Sequence, residues 1–447
     1  MSEDTVFALS SPVGGAIAIV RITGSVAKDA LGRVFRCKNA PEHRVMNYGH
    51  VIDPEGGETI DSAMACFLKA PATYTGEDMA EIYIHGSRVI AKRTLSVLSR
   101  FLRPAEGGEF TKRAFMNGKL DLSQAEAVMD VISSVTEQGA RMAEEQLEGS
   151  IGSGIKDIED RLIDILSGVE AALDYPEELE EDTVSALGSE LAPIIDKLDY
   201  LIRGGNAARI FREGAAVAIL GAPNAGKSSL FNALMGTERA IVTSIPGTTR
   251  DTLEETLDIC GAPVRITDTA GIREGADEAE RIGVERARKA GERADLILIA
   301  IDGTKPIDEE SRALIAAANR GEYKKCILIF TKADKADFMP HENGENCAAL
   351  SPISVSSVTG EGLDALKERM AALLLTKEAE SALVTNSRHI HALAEAKAAL
   401  ETADAAMGTD LAAADIRTAL YALGQITGRE VTSDVIERIF SRFCVGK

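Results

Sequence analysis

The stretch AAVAILGAPNAGKSSLFNAL, residues 215–234, decides the fold. Ala215–Leu220 is a short apolar run of the kind that forms a buried strand. Gly221-Ala-Pro-Asn-Ala-Gly226-Lys227-Ser228 then fits the pattern G-x-x-x-x-G-K-S, and Ser229–Leu234 continues with a helical texture. Strand, glycine loop and helix in this order make a phosphate cradle, because successive backbone N–H groups converge on an anion at the positive end of a helix. In this reading Asn224, Ala225, Gly226, Lys227, Ser228 and Ser229 hold a nucleotide. Lys227 reaches the β and γ phosphates, and the Ser228 hydroxyl ligates Mg²⁺.

Two further motifs follow at the ends of apolar runs. Asp268-Thr269-Ala270-Gly271 reads as a γ-phosphate sensor, with Asp268 near the Mg²⁺ and the Gly271 N–H facing the γ-phosphate. Thr331-Lys332-Ala333-Asp334 presents a carboxylate, Asp334, that accepts two hydrogen bonds from a guanine edge and so selects GTP over ATP. The first position of that motif is usually Asn, and Thr331 departs from it. Ser356-Ser357-Val358 completes the base site. Together these motifs imply a Ras-like GTPase domain. Such domains commonly carry a Gln after the sensor glycine to orient the attacking water. Ile272 stands there instead and has no polar group. A partner's arginine or a monovalent cation must then neutralise the transition-state charge. Asn224 offers a side-chain carbonyl oxygen inside the phosphate loop. The segment Thr243-Ser244-Ile245-Pro246-Gly247-Thr248-Thr249 offers backbone carbonyls, which favours the cation. Thr249 lies 22 residues after Lys227 and is the natural second Mg²⁺ ligand.

Outward from this motif the texture changes twice. Buried runs at Ala215–Leu220, Val264–Thr267, Leu296–Ile301 and Cys326–Phe330 alternate with helical patterns, the sequence form of a doubly wound parallel sheet over 214–376. Helical periodicity fills the flanks, 118–213 and 377–447. In the first flank Ile158, Leu162, Ile165, Leu166, Val169 and Leu173 form one apolar stripe, and Pro176 with the acidic run 177–182 marks a helix start. The sheet domain therefore reads as an insertion into a helical domain split in sequence. Residues 1–117 are a mixed α+β segment, with strands at Ala16–Ile22 and Ala80–Ile84 and helices at Val26–Phe35 and Ser87–Leu102. The fold class is thus multidomain, α/β and α.

Composition narrows the function. With 49 basic and 70 acidic residues the formal charge is −21, which argues against a general nucleic-acid coat and leaves only a local or partner-borne contact. Aromatic residues make up 4% and Trp is absent, against a single-strand reader built on stacking platforms. No apolar stretch is long enough for a membrane span, and the acidic start Met-Ser-Glu-Asp-Thr lacks an export pattern, so a cytoplasmic location is expected. Six cysteines show no metal or redox spacing, and five of them (Cys37, Cys66, Cys260, Cys326 and Cys347) read as small hydrophobes. Cys444 has the position of a prenylation box, but Gly446 and Lys447 do not suit one.

Asn224-Ala-Gly-Lys-Ser-Ser-Leu230, Gly247-Thr-Thr-Arg-Asp251 and the closing Phe443-Cys444-Val445-Gly446-Lys447 resemble the MnmE (TrmE) family of tRNA wobble-uridine-modifying GTPases. So do Tyr74-Thr-Gly-Glu-Asp78, Gly108-Glu-Phe110, Arg113-Ala-Phe115 and Lys119-Leu-Asp-Leu-Ser-Gln-Ala-Glu126. The resemblance implies an N-terminal tetrahydrofolate-binding domain that dimerises, a discontinuous helical domain and an inserted, potassium-stimulated G domain. By the same resemblance Asn224, Thr243, Ile245 and Thr248 would hold K⁺, Ser228 and Thr249 the Mg²⁺, and Glu280 would activate water. Arg21, Glu81, Lys119 and Lys447 would contact 5,10-methylenetetrahydrofolate or 5-formyltetrahydrofolate, with the Cys444 thiol near the one-carbon unit. It also implies a homodimer and a flavoprotein partner, MnmG (GidA), carrying FAD in a heterotetramer-type complex on tRNA. The stretch Val13-Gly14-Gly15-Ala16 is one residue shorter than in the family pattern. The alternative of another class is an Era-like, GTP-switched ribosome-assembly factor. Such a factor should carry an appended basic RNA-binding module, yet the last 70 residues hold more acidic than basic side chains.

Overall fold

The structure is a computed structural model that describes residues 4–237, 256–267, 294–339, 352–380, 382–404, 408–441 and 443–446. The first body holds β1 (Val6–Leu9), β2 (Ile17–Thr23), α1 (Ala27–Val34), β3 (Phe35–Cys37), β4 (Asn47–Ile52), β5 (Thr59–Leu68), β6 (Met79–His85), α2 (Arg88–Leu98), β7 (Arg103–Pro104) and α3 (Glu109–Met116). Its seven strands run in the order β3-β4-β5-β6-β2-β1-β7. Alternation along the strands gives one apolar face, so Val20, Ile22, Ile82 and Ile84 pack against Leu31, Val34 and Leu98 of the two helices. Two elements are shorter than the sequence suggested. Phe35 leaves α1 and opens β3, and α2 stops at Leu98, beyond which the chain turns toward β7.

The helical body starts with α4 (Leu122–Ser133), α5 (Glu137–Leu147), α6 (Ser150–Asp174) and α7 (Pro176–Glu213). A capping box fixes the start of α4: the Asp121 carboxylate accepts from the Gln124 N–H at 2.8 Å, and the Asp121 N–H donates to Gln124 Oε1 at 2.9 Å. Pro176 occupies the first turn of α7, where its missing N–H costs nothing. In α6 the stripe buries Ile158, Leu162 and Val169, but Leu173 is exposed because it lies in the last turn, past the packed core.

The inserted body comprises β8 (Ala215–Leu220), α8 (Lys227–Thr237), β9 (Thr256–Ile259), β10 (Ala262–Thr267), β11 (Leu296–Asp302), α9 (Glu309–Asn319), β12 (Cys326–Thr331), β13 (Ile353–Ser354) and α10 (Leu363–Leu374). The order is β13-β12-β11-β8-β10-β9, parallel throughout except for the β9–β10 hairpin. Cys260 and Gly261 form that hairpin's two-residue turn, with φ of 49° and 87°. A turn of this kind points outward, so Cys260 is exposed and not the buried small hydrophobe read from the sequence.

After α11 (Lys377–Glu380) come α12 (Ser387–Asp404), α13 (Thr409–Thr427) and α14 (Ser433–Phe440). Leu393, Leu400, Ile416 and Leu423 from these helices share one core with Ile158 and Leu162 of α6 and Leu191 and Leu198 of α7. Segments on either side of the insertion thus build a single helical body, the multidomain α/β and α class read from the sequence. Gly214 joins that body to the sheet. Its φ of 73° suits glycine, and a Cβ there would meet Arg265 Cγ at 3.0 Å.

Candidate nucleotide and one-carbon sites

The buried strand β8 delivers the chain to the loop 221–226. Gly221 passes so close to β11 that a Cβ would lie 2.2 Å from the Ala300 carbonyl oxygen. Asn224 and Gly226 both have positive φ, 63° and 86°, which turns consecutive N–H groups into one concavity. The Lys227 ammonium donates to the carbonyls of Gly221 at 2.6 Å and Ala222 at 2.9 Å, so it lies across the loop. Pro223, Asn224, Ser228 and Ser229 are exposed, whereas Ala225 is buried.

Thr331 explains its own departure from the usual Asn. Its hydroxyl is buried and lies 2.7 Å from the Ala225 carbonyl and 3.1 Å from the Ile301 carbonyl. The turn 331–334 is thereby fastened to the loop 221–226. The next residue, Lys332, has φ of 63° and donates to Asp302 Oδ2 at 2.6 Å. Asp302 also accepts from the Thr304 hydroxyl and N–H, at 2.7 and 3.1 Å. Burial would raise the Asp302 pKa, but the bonds from Lys332 and Thr304 outweigh it and hold the carboxyl below its ordinary range. Sequence reading missed Asp302, which as a lone Asp at a strand end carries no motif. The Asp334 carboxylate accepts from the Ser356 hydroxyl at 2.7 Å, and that bond lowers its pKa. Ser356 Oγ in turn accepts from the N–H groups of Val358 at 3.3 Å and Thr359 at 3.1 Å. Ser357 is half-buried and Val358 exposed beside this turn. The two base loops are therefore one hydrogen-bonded unit with its carboxylate ionised.

In the first body the β2–β6 register sets Arg21 opposite Glu81, and the two form an ion pair at 2.7 Å. The second Glu81 oxygen accepts from the Tyr83 hydroxyl at 2.5 Å. Burial and then that carboxylate push the Tyr83 phenol well above its usual range. The Thr23 and Thr75 hydroxyls bond at 2.7 Å, tying the loop Tyr74–Asp78 to β2, and Gly76 of that loop faces Lys119, whose Cγ is 3.3 Å from where a Cβ would stand. Lys119 Nζ donates to the Pro71 carbonyl at 3.2 Å. Val445 forms an antiparallel bridge with Gly107, and the Gly108 N–H donates to the Cys444 carbonyl at 3.2 Å. A Cβ on Gly446 would meet the Leu9 carbonyl oxygen at 2.5 Å, and Leu9 pairs with Val20, the neighbour of Arg21. Sequence spacing gave no sign that Gly107 and Gly108 seat the tail. The short glycine stretch closes on Gly86, with the Gly14 N–H donating to its carbonyl at 2.8 Å, and leaves the Arg21 register intact. Thr243, Ser244, Ile245, Pro246, Gly247, Thr248, Thr249, Asp268, Thr269, Ala270, Gly271, Ile272, Glu280, Cys347 and Lys447 lie outside the described residues.

Comparison with known proteins bears on the whole chain. Residues 5–119 match the family described as the GTP-binding protein TrmE N-terminus, and residues 122–444 the MnmE helical domain. The tRNA modification GTPase MnmE of Natranaerobius thermophilus is 39% identical over 461 residues, covering 100% of both chains. That of Geobacillus thermodenitrificans is 42% identical over 462 residues and 99% of each. Among solved structures, the G domain of the T. maritima FeoB iron transporter covers 36% of this chain and 99% of its own at 32% identity, with a TM-score of 0.28. Relatives that span the chain from end to end are tRNA modification GTPases, so the reading as an Era-like assembly factor is not favoured. Agreement of both terminal segments and the full length places the chain in the MnmE family of tRNA modification GTPases.

Proposed function

We propose that this chain hydrolyses GTP to drive modification of the C5 position of the wobble uridine in certain tRNAs. It acts in the cytoplasm as a homodimer with a flavin-dependent partner, MnmG, that carries FAD. The observation that carries this reading is the seating of the Phe443–Gly446 tail against Gly107, Gly108 and Leu9 of the N-terminal body, which also holds the Arg21–Glu81 pair, in a chain that also holds a GTPase site.

At the GTPase site, Asn224, Ala225, Gly226, Lys227, Ser228 and Ser229 receive the phosphates, and Lys227 exchanges its two carbonyl acceptors for phosphate oxygens. Thr331, Lys332, Asp334, Ser356, Ser357 and Val358 receive the base, with Asp334 accepting from its N–H edge. The exposed Ser228 hydroxyl and Asn224 side chain are oxygen donors on the open side of the loop, which fits Mg²⁺ and K⁺ respectively. Thr249 would complete the first set, and Thr243, Ile245 and Thr248 the second. Segment 243–249 with Asp268, Thr269, Ala270 and Gly271 would close over the γ-phosphate, and Glu280 would orient water. Hydrolysis makes no bond to tRNA; it shifts the G domains between paired and separated states, through contacts that differ between the two.

At the one-carbon site Glu81 accepts from a pterin N–H edge, while Arg21, Lys119 and Lys447 suit the carboxylates of a folate tail. The partly exposed Arg21–Glu81 pair and the half-buried Cys444 thiol suit such a ligand in chemical character. Bound there, a one-carbon tetrahydrofolate supplies the methylene carbon. Cys444 would present its thiol to that carbon. The test is the modified-nucleoside profile of bulk tRNA by mass spectrometry, from a deletion strain with and without the complementing chain. Loss and recovery of C5 aminomethyl-type wobble uridines is expected; an unchanged profile overturns the reading.

A further inference from the structure

Charge is placed unevenly along this chain. Up to Asn117 there are 14 basic and 13 acidic residues; beyond it there are 35 and 57. Within the N-terminal body most arginines are neutralised in place. Arg93 pairs with Glu58, Arg100 with Asp53, and Arg103 and Arg113 share Glu109. Eight cations of this body have no carboxylate partner among the described residues; Arg33, Lys69, Arg88 and Lys92 are dispersed, while Lys28, Arg36, Lys38 and Arg44 lie on or next to β3 and the segments that adjoin it.

That strand is the outermost of seven. Arg36 lies on it, opposite His50 of β4, and Lys38 follows just beyond. Successive same-side positions on a strand stand about 6–7 Å apart. The following loop folds back on β5. His43 bridges Phe67, and the Arg44 N–H donates to the Phe67 carbonyl at 2.8 Å. Lys28 of α1 reaches the same point, its ammonium 5.3 Å from the Phe67 ring centroid. His43 Nδ1 accepts from the Lys69 N–H at 2.9 Å, so in the neutral ring the proton sits on Nε2, as a further donor. Beside these groups Tyr48 is 68% exposed, edge-on to His50 with centroids 6.0 Å apart.

Four cations spread over a strand edge, a loop and a helix match an extended polyanion better than a single small one. A second copy of this chain fits poorly, because a two-fold contact would set the cations against themselves. An exposed ring next to arginines is how proteins hold unstacked RNA bases. We propose that Lys28, Arg36, Lys38 and Arg44, with His43 and Tyr48, form a tRNA-docking surface, the cations neutralising backbone phosphates and Tyr48 stacking on an unpaired base. This rests on the reading of the chain as a tRNA-modifying enzyme.

The experiment uses the full chain and fluorescent bulk tRNA, with anisotropy titrations between 50 and 200 mM KCl. Each phosphate contact contributes roughly 0.7–0.9 to the slope of log K against log salt. The charge-reversed variant R36E/K38E/R44E should therefore lose about 2–3 from that slope and bind at least about tenfold more weakly at low salt, with an unchanged GTPase rate. Should the reversal disturb folding, R36Q/K38Q/R44Q is expected to show the same loss of slope. Tyr48→Ala should weaken binding with the slope kept. Unchanged slope and affinity in the triple variants overturn the proposal, as does a triple variant that turns monomeric while keeping its tRNA affinity. A wild-type chain that fails to restore the modified nucleosides overturns the functional reading itself. Restored nucleosides with unaltered tRNA binding in the triple variants remove only the docking surface.

Discussion

Replacing Glu126 by Gln tests how the two sequence halves of the helical body are held together across the insertion. Glu126 sits on α4 with its side chain 7% exposed and receives both arms of Arg388: Nε at 3.1 Å on one oxygen and Nη2 at 2.6 Å on the other. His389, fully buried, donates from Nε2 to the same carboxylate at 2.8 Å. With the proton on Nε2, His389 Nδ1 is a bare acceptor, and it has no partner among the described residues. Protonating it would bury an N–H with no acceptor. Burial therefore lowers the His389 pKa, although the nearby carboxylate opposes this. For Glu126 burial acts to raise the pKa, but the bonds from His389 and Arg388 win and hold it far below the ordinary range. Glu126→Gln keeps the shape and removes the charge, leaving a largely buried guanidinium without its counter-ion. Breaking a buried pair from one side costs about 3–5 kcal/mol. The partial exposure of Arg388 and its bonds to the Gln425 and Ile426 carbonyls put the expected loss near the lower end, about 3 kcal/mol. The assay is urea unfolding followed by far-ultraviolet circular dichroism, with release of a fluorescent GDP analogue reporting the G domain separately. The helical transition should move down by about 1 M urea or more, at unchanged GDP affinity. The pH dependence has a defined sign. Both groups have depressed pKa values in the fold, so both contributions are complete at neutral pH and fall with acidification. The His389 part fades below its ordinary value of 6.5 and the Glu126 part below 4.5. Only the second should vanish in the variant. A helical transition within about 0.5 kcal/mol of wild type would refute the reasoning, since the pair would then contribute no net stability.

Three further outcomes are expected. Thr331→Val strips the hydroxyl from the Ala225 and Ile301 carbonyls, a loss of about 1–3 kcal/mol; equilibrium titration should show GDP binding about tenfold weaker, and full affinity would mean the fastening is idle. GTP hydrolysis at matched ionic strength should be at least roughly tenfold faster in KCl than in NaCl, the scale of one well-placed electrostatic stabiliser, and equal rates would remove K⁺ from Asn224. Cys444→Ser should lower wobble-uridine modification at least about tenfold while leaving GTPase rate and unfolding midpoint intact, as for loss of a group that acts on the reacting centre; near-normal modification would make the thiol a structural tail residue.

How far each feature could be read in advance followed from its range in sequence. The G sheet was legible because parallel strands are buried on both faces and therefore read as unbroken apolar runs such as Leu296–Ile301. The phosphate loop was legible because its chemistry is local. Thr331 was seen as a departure, but its reason lay in a contact with Ala225, 106 residues away. The N-terminal sheet order was hidden, since β1 pairs with β7 only across the whole body. Leu173 fitted the stripe and still faces solvent, because periodicity gives the face of a helix and not where its partner ends. Glu126 closes the string Lys119–Glu126, and nothing near it in sequence signals Arg388 and His389, 262 and 263 residues on.

Those long-range contacts converge on α4. Glu126 takes Arg388 and His389, where the chain returns from the insertion, and Asp130, one turn further along, takes Arg212 at 2.8 Å, just before the chain enters it. Burial raises the Asp130 pKa despite Arg212, and its second oxygen has no partner among the described residues. The return and entry segments are also joined directly, through the Ser387 hydroxyl and Glu213. At its other end α4 packs Leu122 and Ala125 against Phe440 and Phe443, the aromatic pair ahead of Cys444. An insertion tied at one end could swing without moving the body that carries it. Here both ends are tied to one helix, on one side of a single residue with left-handed backbone, Gly214, and the same helix carries the tail. A displacement of the G domain can therefore be absorbed at Gly214 or load the buried charge pairs on α4. The first is a rotation about a glycine and the second costs several kcal/mol, so the geometry favours rotation for small movements and loads α4 only when the G domains are driven through a large one.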